Sequence, residues 1–182
     1  MNYSVCFSAR TDYFSGIRSF AEPAVRFYDK FYLDPFTLEE TDEYVQAVFG
    51  SHPDKGHELG AWLYEKTLGH PYFLAFISRQ LLSLAPGALP ESPAELWPEI
   101  FRQLEREKFR SDLAQLSEKD SELLREFARG DGEEFGPSQV GRQFDRVYFR
   151  RLADKGLLVR TGRGRYKVYH PLFKLFLQGL KP

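Results

Sequence analysis

Cysteine is almost missing from this chain of 182 residues: Cys6 stands alone. One thiol forms no disulfide framework within a chain and builds no cysteine zinc site, which fits a reducing, cytoplasmic setting. Long apolar runs are missing too. No stretch reaches the roughly 18 apolar residues that a membrane-spanning helix needs. The N-terminus lacks the basic region followed by an apolar block that a secretory signal carries. A soluble protein with no membrane partner is therefore expected. Catalytic signatures are equally scarce. The sequence contains no G-x-x-x-x-G-K-[ST], so no glycine loop cradles phosphates. Glu39-Glu40 and Glu133-Glu134 follow no apolar strand, so neither pair reads as a magnesium site. His52, His57, His70 and His170 are scattered, with no third ligand at metal spacing. No glycine-x-serine-x-glycine elbow occurs. The chain is not expected to be an enzyme on its own, and no bound metal is expected.

Aromatic residues are plentiful, with 17 Phe and 10 Tyr, and 28% of residues are charged. A real core is affordable at this composition, and disorder is not expected. The net charge of −1 conceals a division. From Pro137 onward eleven basic residues stand against Asp145 and Asp154, a local +9, and the rest of the chain carries −10. Three readings of such a split stay open: the basic third faces a polyanion, it docks on its own acidic neighbour, or it is a solvated face.

Residues Tyr3 to Phe7 read as a strand, with Cys6 as a small core residue, followed by the turn Ser8-Ala9-Arg10-Thr11-Asp12. An aromatic segment with Phe27, Tyr28, Phe31, Tyr32 and Leu33 comes next. Thr37 and Glu40 have capping-box spacing and open a helix to about Phe49. Gly50, Pro53 and Gly56 read as a turn. A helix from about Glu58 to Leu68 puts Leu59, Trp62 and Leu63 on one face. Gly69 ends it and Pro71 begins the next, about Pro71 to Leu84, apolar on most sides and so the centre of the bundle. A fourth helix runs from Ser92-Pro93 to about Ala114, with its charged part, Arg102 to Arg110, expected in solvent. Ser117 caps a helix closed by Gly130, whose apolar face is Leu123, Leu124 and Phe127. A short helix follows around Ser138 to Gln143, then a longer one from about Asp145 to Lys155. Gly156 to Val159 and Tyr166 to Tyr169 read as strands around the basic turn Arg160 to Arg165, and Pro171 opens a last helix. Three helices and a hairpin with a glycine tip is the winged-helix order, a variant of helix-turn-helix. The expected fold is mainly α with a small β-wing, a helical bundle followed by a winged helix.

Three segments resemble the C-terminal part of P-loop ATPases of the AAA+ and STAND kind, most nearly prokaryotic and archaeal ones with a helical lid and a winged helix. Arg10, after its strand, looks like the sensor-1 arginine, a group that grips phosphate oxygens because it is always charged and forked. Phe31-x-Leu33-x-Pro35-Phe36-Thr37-x-Glu39-Glu40 looks like the junction between ATPase core and lid. Gly69-His70-Pro71-Tyr72-Phe73-Leu74 resembles the glycine-x-proline motif whose proline lies against the nucleotide base. The resemblance implies a core remnant over 1–33, a lid over 34–115 and a winged helix over 116–182. It also implies nucleotide contacts from Arg10, Gly69, His70 and Pro71. ATP or ADP with magnesium would bind only where the missing P-loop half is present.

The helix from Asp145 occupies the recognition position of a winged helix. Tyr148, Phe149 and Leu152 share its core face, which leaves Arg146 and Arg150 pointing outward together. Arg142, Arg151, Arg163, Arg165 and Lys167 complete the candidate DNA contacts, with Arg160 at the wing tip. DNA is the expected partner. The alternatives are a protein-docking or autoinhibitory module that regulates an ATPase core, and a stand-alone regulator that dimerises through its bundle.

Overall fold

The computed structural model describes residues 34–50, 53–85, 92–130, 134–140 and 144–179, leaving aside the side chains of residues 53–55 and 138. The strand and turn expected before residue 34, with Cys6 and Arg10, lie outside the described residues, as does Arg142. The described chain is mainly helical with one small two-stranded antiparallel sheet.

Helix α1, Leu38–Phe49, starts where its cap places it. Thr37 Oγ1 accepts from the Glu40 N–H at 3.2 Å, and Glu40 Oε2 accepts from the Thr37 N–H at 2.8 Å. These two bonds satisfy donors that a helix start otherwise leaves orphaned. Helix α2, Pro53–Thr67, begins five residues before the expected Glu58. Gly56, read from sequence as turn punctuation, lies inside it. The reason is packing against α1. Asp42 pairs with His57 at 2.7 Å, and a Cβ on Gly60 would stand 1.7 Å from Asp42 Oδ1. Glycine is a poor helix former, but here close approach of a second helix outweighs propensity. Helix α3, Pro71–Leu84, buries Phe73, Leu74, Ile77 and Leu81 completely and is the centre of the bundle, as its composition suggests.

Helix α4, Pro93–Leu104, runs into a π turn at Glu105–Phe109 and resumes as α5, Arg110–Ala114. The charged stretch was expected to be solvated. Arg106, Glu107 and Arg110 are exposed, but Leu104 and Phe109 are fully buried. The π turn brings these two apolar side chains, five residues apart, to the same side.

Helix α6, Glu118–Arg129, starts at Ser117, whose Oγ accepts from the Asp120 N–H at 3.2 Å. Helix α7 covers Pro137–Val140, and α8 covers Arg146–Asp154, capped by Asp145. Strands β1, Leu158–Gly162, and β2, Arg165–Val168, pair antiparallel from Leu158↔Val168 to Gly162↔Arg165. Arg160 and Thr161 therefore belong to a strand, not to the turn expected for them, and Arg163-Gly164 alone reverse the chain. Gly164 takes φ 71°, open to glycine at no steric cost. A bridge absent from the sequence reading joins Phe135 to Tyr166, through N–H···O bonds of 2.8 and 2.9 Å. Helix α9, Pro171–Gly179, closes the unit by packing on α6.

The motif changes between α5 and α6, but the core does not. Phe73 and Phe109 from the bundle meet Tyr169, His170, Phe173 and Phe176 from the hairpin end and α9. Ring centroids lie 4.2 Å apart for Phe73–His170 and 5.3 Å apart for Phe109 with both Phe173 and Phe176. His170 Nε2 donates to the Thr67 carbonyl at 2.8 Å, and its Nδ1 accepts from the Leu172 N–H at 3.1 Å. That pair of bonds requires the neutral ring. Burial, offset in part by the bond to Thr67 and assisted by His70, lowers its pKa to about 4.

Candidate nucleic-acid interface

Helix α8 is amphipathic over nine residues. Phe149 and Leu152 are fully buried, with Phe149 5.7 Å from Phe127 and 5.3 Å from Tyr166 between ring centroids. Tyr148, expected in the same core, is half-buried and packs against Phe144 at the rim. Fixing that face turns Arg146, Val147 and Arg150 outward, all exposed. The Arg150 side chain is 84% exposed, and its Nε lies 3.9 Å from Asp154 Oδ2, beyond hydrogen-bond reach. On the hairpin, Arg165 and Lys167 alternate with half-buried Tyr166 and buried Val168, so they stand on the solvent face. Arg163 is exposed at the tip. Arg160 lies opposite Tyr166, exposed, with its Nε donating to the Gly162 carbonyl at 3.1 Å. Among the described residues, no ion pair engages Arg146, Arg163, Arg165 or Lys167.

Three other basic groups of this unit, Arg151, Lys155 and Lys174, are bonded to the protein's own acceptors. Arg151, grouped with the DNA contacts in the sequence reading, turns away from them. Its Nε donates to Asp120 Oδ1 at 3.0 Å, its second guanidinium nitrogen bonds the same oxygen, and its plane lies 4.9 Å from the Tyr148 ring. Asp120 is 1% exposed. Burial raises its pKa, but the bonds from Arg151 and Ser117 and the nearby positive charges outweigh that and hold it below the usual carboxylate range. The bond to Asp120 in turn raises Arg151. Lys155 Nζ donates to the Gln115 carbonyl at 3.0 Å, and Lys174 Nζ to the Gly130 carbonyl at 3.3 Å. No ion pair among the described residues ties the outward cations to the carboxylates of α1 and α2. The bundle instead meets this unit through α9 and the hairpin end, leaving the outer face of α8 clear.

The corner of Gly69, His70 and Pro71, expected from the resemblance to border a nucleotide, is built into the packing of the bundle. Phe36 N–H donates to the Gly69 carbonyl at 2.9 Å, which sets the α1 lead-in against the α2–α3 corner. Gly69 adopts φ 70°, and a Cβ there would stand 1.8 Å from the Phe36 carbonyl oxygen. Two of the three family-like segments are thus in contact. His70 is half-buried, with its ring 4.8 Å from Phe73, and burial foremost lowers its pKa. Pro71 is exposed at the first position of α3. A shallow open cleft lies elsewhere, between α2, α4 and α9, bordered by Lys66, Trp97, Leu172 and Leu175.

Three features of this surface are missed by the sequence reading: the Asp120 partner of Arg151, the Phe135 bridge that braces β2, and the outward turn of Val147. A helical wheel carries a signal for the last. With Phe149 and Leu152 inward, Val147 falls beside Arg146 and Arg150. No family model, curated protein or solved structure matches the chain. The likeness to P-loop ATPases rests on the motifs alone.

Proposed function

We propose that this chain binds duplex DNA through α8 and the wing, and that it forms the lid and winged-helix portion of a P-loop ATPase. The observation that carries the first part is the sorting of cations. Arg146, Arg150, Arg163, Arg165 and Lys167 are exposed, on the side that the bundle leaves clear, while Arg151 is tied to Asp120 and Lys155 to the Gln115 carbonyl. Helix α8 would lie in the major groove, and the hairpin would ride on the adjacent backbone. Nucleotide chemistry would belong to a P-loop outside this sequence. Arg10, Gly69, His70 and Pro71 would border the nucleotide, with no hydrolysis by this chain alone.

A protein-docking role is the second reading. It is favoured by α1, where Glu39, Glu40 and Glu43 are exposed and no Lys or Arg occurs from 34 to 54. The test is fluorescence anisotropy of a random duplex across a salt series. Neutralising up to five phosphates gives a slope of log K against log salt of up to about −4.5. Arg150→Glu with Arg163→Glu should abolish binding and leave the fold intact. No binding at low salt would remove the DNA reading and leave docking on protein.

A further inference from the structure

The outer face of α8 carries one side chain that neither core nor charge explains. Val147 is 63% exposed, more than Leu175 at 48% or Leu68 at 47%. It is held there firmly. It sits in the first turn of the helix, and its own N–H donates to Asp145 Oδ1 at 2.8 Å. Its β-branched side chain has little rotamer freedom in a helix. The two methyl groups therefore project at a fixed position, next to Arg146 and one turn from Arg150.

The chemistry around it says which part of a duplex it would meet. A helix N-terminus attracts phosphate through its free N–H groups. Here the Asp145 carboxylate already occupies that position, and its charge repels a phosphate. The free N–H groups of this first turn are thus unsuited to gripping a phosphate, a task left to the arginine side chains and the wing. What the turn offers is an apolar knob between cations, which would face the floor of a groove that α8 entered. In the major groove the apolar feature is the C5 methyl of thymine, which is matched by small apolar side chains.

Resting on the DNA-binding reading above, we infer that Val147 reads a thymine methyl, making it a specificity residue of α8. The contact would be worth one buried methyl, about fourfold in affinity. The experiment uses the full chain and a preferred duplex selected from a random library. Each thymine is then replaced in turn by deoxyuridine, which pairs identically but lacks the methyl. At one or two positions the replacement should weaken wild-type binding about fourfold, with an unchanged salt slope, because a methyl carries no charge. Val147→Ala, at an exposed helical position where alanine is well tolerated, should bind the thymine and deoxyuridine duplexes equally. Indifference of the wild type to every replacement would overturn the inference while DNA binding stands. So would full discrimination retained by Val147→Ala. No binding to any duplex at low salt would overturn both readings together.

Discussion

Replacing Asp120 with asparagine keeps the shape of the side chain and removes one negative charge from a site that is 1% exposed. In the native protein a single carboxylate oxygen accepts two N–H bonds from the Arg151 guanidinium, and the Ser117 hydroxyl lies 3.5 Å from the same group. Hydrogen bonds to a charged partner contribute about 1.5–3 kcal/mol each. A broken buried pair costs about 3–5 kcal/mol when the survivor is fully enclosed. The Arg151 side chain is 41% exposed, so water would take up part of the loss. Asparagine retains an acceptor oxygen. Asp120→Asn should therefore destabilise by about 2 kcal/mol, a fall of about 4–8 °C in Tm for a chain of this size. Thermal unfolding followed by circular dichroism measures it. The carboxyl is held below its usual range, so its contribution is present above the unfolded value and lost as pH falls through the folded one. The gap between wild type and variant should accordingly close in acid. A Tm change under about 1 °C at neutral pH, or a gap that ignores pH, would refute the argument. The neighbouring arginines should divide in the same assays. Arg151→Met should lower Tm with no change in the salt slope of DNA binding. Arg150→Met should leave Tm alone and reduce that slope by about one.

Two further outcomes follow from the junction of bundle and wing. His170 has a folded pKa of about 4 against 6.5 unfolded, so the unfolded chain takes up a proton that the folded chain refuses. Stability should be full above pH 6.5 and fall by about 3 kcal/mol as pH drops to 4. Urea midpoints for wild type and His170→Gln should converge over that window, and parallel curves would count against it. Gly69→Ala should destabilise by more than about 2 kcal/mol, because a side chain at φ 70° would also strike the Phe36 carbonyl. An unchanged urea midpoint for that variant would mean the corner is looser than the Phe36–Gly69 bond implies.

What the sequence makes legible here is what depends on near neighbours. The caps at Thr37 and Ser117 are bonds to residues three positions away, and both are where the spacing puts them. The outward pairing of Arg146 and Arg150 follows from the inward pairing of Phe149 and Leu152. What depends on distant partners is not legible. Gly56 looks like a turn residue, and the need for glycine at position 60 is hidden, until α1 is seen resting against α2 with Asp42 over Gly60. Asp120 looks like a helix-start residue until Arg151, 31 positions on, is seen to close over it. The bridge from Phe135 to Tyr166 involves one residue on its side, too little for any alternation to register.

The π turn at Glu105–Phe109 has a consequence for how this chain tolerates change in length. An ideal α-helix advances about 100° per residue, so positions five apart point about 140° away from each other. Leu104 and Phe109 are five apart and both fully buried. The helix therefore carries one residue beyond what its inner face uses. Removing a single residue between them would leave an unbroken α-helix and bring the two apolar side chains four apart, still on one side. Elsewhere in α4 or α5 the same deletion would rotate α5 and everything joined to it out of phase. Glu105–Phe109 is the place where this protein can be shortened by one residue and keep its phase.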